Sequence, residues 1–174
     1  READVFDLLV ADRPVGVDLL VRAAWDRCVE GPERHVWATV ETQPVLEHLL
    51  LQVPSRGTQP GRTATLALRF CPVTLFPPRH RKAEGLPCVT LWAVQVQEIA
   101  PPPDVQPIEW LLLTTVAVQT AEDARERVGW YACRWGIEIW HRILKSGCRI
   151  EARQLATAER LQRCLTLYSV IAWR

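Results

Sequence analysis

The feature of this sequence that most restricts its fold is a change of pattern near residue 116. Before it, four runs have the length and composition of strands and are separated by breaks that contain proline or glycine: residues 63–70, 73–76, 89–99 and 110–115. After it, from Thr120 onward, apolar side chains recur at helical spacing. Strands followed by helices predict a mixed α+β protein in which the strands form an antiparallel sheet.

The first part of the chain has weaker signals. Residues 2–11 predict a short helix that ends at a turn cluster, and residues 17–25 form an apolar run typical of a buried strand. Residues 26–43 are charged and are predicted to be irregular, whereas residues 45–51 are predicted to form one or two helical turns. This part therefore predicts one helix and one strand ahead of the larger block of strands.

Two helices are predicted after the strands. The first spans about residues 121–146, because Thr120 and Asp123 have the spacing of a capping box and Ser146-Gly147 is a typical stop. The second begins after Thr157 as its N-cap. Its apolar face is predicted to consist of Leu161, Cys164, Leu165, Tyr168, Ile171 and Ala172.

Composition excludes some classes of protein. With 174 residues, of which 48% are hydrophobic and 24% charged, the chain can bury a sizeable core and is not expected to be disordered. The formal net charge of +1 provides no overall positive field, so a nucleic-acid contact must come from a local patch. The sequence contains no signal peptide and no apolar run of membrane-spanning length, which favours a cytoplasmic protein.

The six cysteines do not suggest a metal site or a disulfide framework. They include no C-x-x-C pair, and no histidine lies at the spacing of a zinc finger. We therefore expect free thiols that are mostly buried, in a reducing compartment.

The first predicted helix has two opposite faces of different chemistry. On one face lies a polar stripe whose members fall within roughly 80° of one another. The opposite apolar stripe is predicted to face the core and consists of Trp130, Cys133, Ile137, Trp140 and Leu144. An ordinary solvated face, with one weak ion pair four residues apart, is the simplest interpretation of such a pattern. The spacing of the polar stripe nevertheless singles it out: Tyr131, Arg134, Glu138, Arg142 and Lys145.

The spacing Tyr-x2-Arg-x3-Glu-x6-Lys resembles the YREK signature of bacterial cut-and-paste DDE transposases of the insertion-sequence-four type. The whole chain resembles the transposon-five branch of that family. Residues 1–4 resemble the segment after the second catalytic aspartate, and residues 110–115 resemble the strand before the catalytic helix. The resemblance implies a partial ribonuclease-H-like fold with a β-rich antiparallel insertion before the catalytic helix. Its three segments would be a core part at 1–27, the insertion at 28–116 and the C-terminal core helices at 117–174.

The same resemblance implies a chemistry for the polar stripe. In the family, three carboxylates hold two Mg²⁺ or Mn²⁺ ions that catalyse phosphodiester transfer. Glu138 corresponds to the third of these carboxylates and is the implied catalytic residue and metal ligand. Arg134, Arg142 and Lys145 would bind the flanking phosphates, and Tyr131 would either donate a hydrogen bond to a phosphate or only pack.

Two further DNA contacts are implied outside the stripe. Trp110 corresponds to an aromatic residue that stacks on a base flipped out of the transposon end, although a core-filling role is an equally simple interpretation of one tryptophan among eight. Arg22, near the end of its predicted strand, resembles a further DNA contact. The implied partners are double-stranded transposon-end DNA and, in the full-length family, a second copy of the protein.

Two of the three family carboxylates have no counterpart in the chain. The second aspartate is expected immediately before Arg1 and the first farther upstream, so we expect the chain to be catalytically inactive by itself. Two alternatives stay open: a non-catalytic DNA-binding or interaction remnant of a decayed transposase, and a ribonuclease-H-like nuclease without strand transfer. Without the earlier strands, residues 17–25 are expected to form an exposed sheet edge that makes the chain prone to aggregation.

Overall fold

The computed structural model describes residue 6 and residues 16–55 and 60–173. The chain divides into two compact units, Arg1–Gly129 and Trp130–Arg174, which we call the sheet unit and the helical unit. The predicted helix at 2–11 lies outside the described residues, apart from Phe6, which is buried. The predicted boundaries at residues 27 and 116 stay a prediction.

Among the described residues, the sheet unit contains five antiparallel strands in the order β1-β5-β4-β3-β2. Together with the helices, this sheet confirms the predicted α+β class. The strands are β1 (Leu20–Arg22), β2 (Glu47–Val53), β3 (Arg62–Leu75), β4 (Val89–Glu98) and β5 (Glu109–Thr114).

The predictions for β3 and β2 are wrong in detail. Two predicted strands, at 63–70 and 73–76, form the single strand β3. Pro72 is tolerated within β3 because β2 pairs with β3 only as far as Leu68. Beyond Leu68 no described strand pairs with this side of β3, so the backbone N–H that proline lacks is not needed for a hydrogen bond between strands. Instead of the helical turns predicted at 45–51, residues 47–51 lie in β2, because pairing along seven residues of β3 overrides an ambiguous leucine run.

A short helix, α1 (Val36–Glu41), lies in the segment that was predicted to be irregular. It is only six residues long and rich in β-branched side chains, so local propensity gives little sign of it. Val36 and Val40, four residues apart, are both fully buried against one face of the sheet. The helix therefore forms because the sheet offers an apolar surface for its two valines.

Both faces of the sheet are covered. The first face packs on α1 and Phe6 through Cys71, Val73 and Leu75 of β3 and their neighbours on β4 and β5. The second face carries buried Leu66, Leu68, Val94, Val96 and Leu112. Helix α2 (Ala121–Ala132) buries Ala124, Arg127 and Val128, and its Arg125 forms an ion pair of 3.3 Å with Glu47 of β2.

The predicted strand at 17–25 is much shorter than expected. Only Leu20–Arg22 forms β1, which pairs antiparallel with β5. The backbone N–H of Leu19 adds a bond of 2.9 Å to the hydroxyl of Thr115, and the hydroxyl of Thr115 donates to Asp18 at 2.9 Å. The strand lies at one edge of the sheet, as expected, but it exposes only three residues there.

The capping box at the start of α2 is confirmed. The Thr120 hydroxyl accepts the Asp123 backbone N–H at 3.1 Å, and an Asp123 carboxylate oxygen accepts the backbone N–H groups of Thr120 and Gln119, each at 2.9 Å. These bonds to the charged form lower the pKa of Asp123, the bond from Gln119 contributing most. The sequence motif therefore sets the first residue of the helix.

The predicted continuous helix at 121–146 is interrupted at Cys133. Helix α2 ends at Ala132, helix α3 spans Arg134–Arg142, and a π turn, Ile143–Gly147, ends at the predicted stop. At the interruption the Gly136 N–H bonds to the Cys133 carbonyl at 2.9 Å, a three-residue step in place of the usual four.

Helix α4 (Ala158–Trp173) follows Thr157 as predicted, and the Thr157 hydroxyl accepts the Arg160 N–H at 3.3 Å. Among the residues that the structure describes, no helix has the length and apolar character needed to cross a membrane. The cysteines are less buried than expected: Cys71 and Cys148 are buried, Cys28 and Cys164 are half-buried, and Cys88 and Cys133 are exposed.

Candidate functional site

Three members of the polar stripe meet on one side of the helical unit. A guanidinium nitrogen of Arg134 lies 2.9 Å from a carboxylate oxygen of Glu138, and the same guanidinium lies 5.6 Å from the centre of the Tyr131 ring. This contact survives the interruption because Cys133 keeps right-handed helical dihedral angles. Neighbours three and four residues apart therefore still face one another, as the spacing predicted.

The ion pair between Arg134 and Glu138 is open to solvent. Their side chains are 50% and 55% exposed. A pair of this kind stabilises a protein by only about 0.2–1 kcal/mol, because water screens the charges and two long side chains lose freedom. Either charged group can therefore exchange its present partner for a stronger ligand at small cost.

Lys145 does not point its charge toward Glu138. Its ammonium lies 2.9 Å from a carboxylate oxygen of Glu151, a residue that the sequence analysis missed. The chain reaches Glu151 through Arg149, which adopts a left-handed conformation with φ 49°. The only sequence signal for this reversal is the helix stop at Gly147, and that stop does not tell where the chain goes next.

The segment that presents Glu151 is held by Arg153. Its guanidinium donates to the Cys148 carbonyl at 3.2 Å and lies 5.1 Å from the centre of the Tyr168 ring on α4. Cys148 itself is buried, and its N–H bonds to the Ile143 carbonyl at 2.8 Å. The pairing of Lys145 with Glu151 is thus supported by contacts to both neighbouring elements of the helical unit.

Arg142 ends α3 with an exposed side chain and, within the described ranges, forms no ion pair. The stripe and Glu151 together contain three cations and two carboxylates, which leaves one net positive charge on this surface. The surface suits an anion such as a phosphate, and Arg142 is the cation most readily available to it.

The apolar stripe opposite is only partly buried. Leu144 is buried, and the half-buried Trp140 donates its indole N–H to the Ser169 carbonyl of α4 at 3.0 Å. Trp130, Cys133 and Ile137 are exposed, so the prediction of a fully core-facing stripe is wrong for this chain. An open apolar groove of about 420 Å³ remains, lined by Ile137, Trp140, Ser169, Val170 and Trp173.

The two predicted DNA contacts of the sheet unit lie side by side. Trp110 of β5 and Arg22 of β1 belong to neighbouring strands, and a guanidinium nitrogen of Arg22 donates to the Glu109 carbonyl at 3.0 Å. Arg22 is exposed, but Trp110 is only 6% exposed. Stacking on a base requires an accessible ring face, so this burial favours the core-filling interpretation of Trp110.

The described residues do not by themselves fit a two-metal site. Among them no group of three or more histidine, cysteine, aspartate or glutamate side chains is placed to hold a metal ion. Glu138 offers one carboxylate, and its observed partner is a guanidinium. Mg²⁺ and Mn²⁺ in such sites need several oxygen ligands, so further carboxylates would have to come from elsewhere.

No model of a known protein family matches the chain. The functional information of the chain therefore lies in the polar stripe itself: in the side chains that it brings together, their exposure and the charges that they leave available.

Proposed function

We propose that this chain is part of the ribonuclease-H-like catalytic core of a DDE-type DNA transposase, and that the polar stripe faces the phosphates of transposon-end DNA. The observation that carries the proposal is the meeting of Tyr131, Arg134 and Glu138 on one exposed helical face. The YREK spacing supports it, since Arg142 and Lys145 follow on the same helical region.

In this proposal Glu138 supplies one of three carboxylates for Mg²⁺ or Mn²⁺. The described residues contain no group that completes such a site, so the chain alone should be inactive. What a rigid helix contributes is a fixed position for the carboxylate. The present partner of Glu138, Arg134, holds that carboxylate with a weak, exposed ion pair that a divalent cation can displace.

The cations of the stripe would bind DNA phosphates. The planar guanidinium groups of Arg134 and Arg142 can each donate two parallel hydrogen bonds to a phosphate, and Lys145 adds a compact positive charge. Lys145 must first leave Glu151, which costs little because both side chains are mostly exposed. Tyr131 offers a phenol hydroxyl on the same side, and Arg22 is a candidate contact of the sheet unit.

The test is the salt dependence of DNA binding by the purified chain. The logarithm of the binding constant for double-stranded DNA should fall linearly with the logarithm of salt concentration, with a slope of about −0.9 for each phosphate contacted. Replacing Arg142→Gln should reduce the magnitude of that slope by about 0.9, as measured by fluorescence anisotropy. The matched control is Arg163→Gln on α4, an exposed arginine paired with Glu159 and outside the stripe, which should leave the slope unchanged.

Two results would contradict the proposal. If substitutions at Arg134, Arg142 and Lys145 leave the slope at the wild-type value, the stripe does not face phosphates. If the pure chain cuts DNA in Mg²⁺, the missing carboxylates are not needed and the DDE assignment is wrong. The last test needs a longer protein that contains this chain together with the two other catalytic aspartates. In that protein Glu138→Gln should abolish Mg²⁺-dependent cleavage of DNA and strand transfer, while Glu159→Gln should not.

A further inference from the structure

The edge strand β2 has a free side with few protective features. Within the part of the chain that the structure describes, β2 pairs only with β3, so its outer side carries backbone N–H and carbonyl groups without a strand partner. Edge strands usually avoid pairing by being short, by carrying charge or proline, or by bulging. At seven residues β2 is long, and its five inner residues contain no aspartate, glutamate, lysine, arginine or proline.

We propose that β2 is a homodimer interface, in which two copies of the chain join their sheets by antiparallel pairing of β2 with β2. This proposal does not depend on the function proposed above. The occupant that fits the edge best is a second copy, because the strand is complementary to itself about a two-fold axis at Leu50. Such an axis, perpendicular to the sheet, is the usual symmetry of a homodimer.

The pairing across this axis places leucine opposite leucine at its centre. Leu50 meets Leu50 of the second copy, Leu49 meets Leu51, and His48 meets Gln52, with no two like charges opposite each other. Glu47 meets Val53 at the two ends. Side chains directly opposite in such a pair have Cβ atoms about 4.5–5.5 Å apart, close enough to cover each other.

Only this register uses the whole strand. Side chains alternate between the two faces of a strand, so two residues that lie opposite each other in the dimer must be on the same face. The two copies of β2 can therefore shift only to registers that keep this match. Moving the axis to Leu49 or Leu51 leaves residues at one end unpaired and separates the two copies of Leu50. Leu50 is 74% exposed in the single chain, so bringing its two copies together removes the most exposed apolar side chain of the edge.

The opposite edge explains why pairing should stop at two copies. That edge is β1, which has three residues and ends at Arg22. It is too short to extend the sheet in the same way, and one of its three residues is charged. A ten-stranded dimer therefore closes the assembly, whereas two long free edges would allow an open fibre.

The test places a charged side chain at position 50, on the proposed two-fold axis. Leu50→Lys and Leu50→Glu each place two like charges opposite each other, and because the side chain is mostly exposed, neither substitution should disturb the fold. We expect the wild-type chain to dimerise in sedimentation equilibrium, and each variant alone to have a dissociation constant raised roughly tenfold or more. A mixture of equal amounts of the two variants should restore the dimer, because lysine then faces glutamate.

The matched control is Leu167→Lys on α4, which changes another mostly exposed leucine, outside β2, and should leave the dimer intact. A wild-type chain that stays monomeric up to millimolar concentration overturns the proposal. A dimer that survives Leu50→Lys lies on another surface and overturns it as well. A mixture of the two variants that stays monomeric excludes the axis at Leu50.

Discussion

The sheet unit and the helical unit bury their apolar side chains to very different extents. The sheet unit buries residues on both faces, including leucines with no exposed surface on β3 and β5. In the described part of the helical unit, only Leu144, Cys148 and Ala172 are buried, and α3 has no buried residue. Large apolar side chains exposed there are Trp130, Ile137, Ile139, Ile143, Leu155, Leu161, Leu165, Leu167, Val170, Ile171 and Trp173.

The difference shows that an apolar pattern is not sufficient to form a core. Strands pair across long sequence separations and each residue gains neighbours on both sides, whereas two helices in contact cover only the sides that face each other. The sheet unit therefore supplies its own core, and the helical unit leaves most of its apolar surface available. We expect the sheet unit to carry the global stability and the helical unit to open at lower free energy.

The largest expected effect is the loss of a core leucine in the sheet unit. Leu66→Ala should lower the free energy of unfolding by about 2–5 kcal/mol, because it leaves a cavity at a fully buried position of β3. The matched change in the helical unit is Leu167→Ala, which should stay within about 0.5 kcal/mol because that side chain is mostly exposed. Urea unfolding measures both, and equal effects would remove the distinction between the two units.

The next largest effect on the free energy of unfolding is expected from a buried ion pair of the sheet unit, compared with an exposed ion pair of the helical unit. The Glu98 carboxylate in the sheet unit accepts two hydrogen bonds from the Arg62 guanidinium, one of which is 2.9 Å long. It also accepts the Ile108 N–H at 2.9 Å, and the Glu98 side chain is almost fully buried. Glu98→Gln should cost roughly 2–4 kcal/mol because it leaves Arg62 without its counter-charge. Glu138→Gln in the helical unit breaks an exposed pair and should cost less than about 1 kcal/mol.

The ion pair of Arg62 and Glu98 also predicts that the free energy of unfolding depends on pH. The bond from Arg62 holds the pKa of Glu98 below its usual value of 4.5, so the stabilisation is present above that pH and is lost as the pH falls further. Unfolding measured across acidic pH should show this loss in the wild-type chain and a smaller one in Glu98→Gln. An identical acid response in both proteins would show that the pair contributes nothing.

The smallest expected effect concerns the thiols. Burial raises the pKa of Cys71 in the sheet unit from 9.0 to about 11, so the neutral thiol stabilises the fold at lower pH and this contribution is lost between those values. Cys71→Ala should therefore show a weaker alkaline loss of stability than the wild-type chain. Cys133→Ala, at an exposed position of the helical unit, is the control and should keep the wild-type response.

Local features of the fold could be predicted from the sequence. The capping box at Thr120 and Asp123, the stop at Gly147 and the contact of Arg134 with both Tyr131 and Glu138 depend on residues within four positions of one another. Their geometry follows from the helix alone, so the pattern predicts them. The α+β class follows for the same reason, because alternation and helical spacing are also local.

Other features required partners that are distant in the chain. The leucines of β2 become a strand only because β3 pairs with them, and Val36 and Val40 form a helix only on the apolar face of the sheet. Lys145 meets Glu151 only after the chain reverses at Arg149. None of these partners is indicated by a local pattern, so propensity alone gave the wrong element or missed the contact.

The sequence by itself thus determined the class of fold, the starts of α2 and α4, the stop at Gly147 and the polar stripe with its YREK spacing, since short-range geometry places these residues. Tertiary structure decided which surfaces are covered: it buries Trp110, leaves Ile137 exposed and places the long strand β2 at an edge of the sheet. The physical reason is that burial depends on which elements meet, and each meeting is a sum of contacts between residues far apart in the chain.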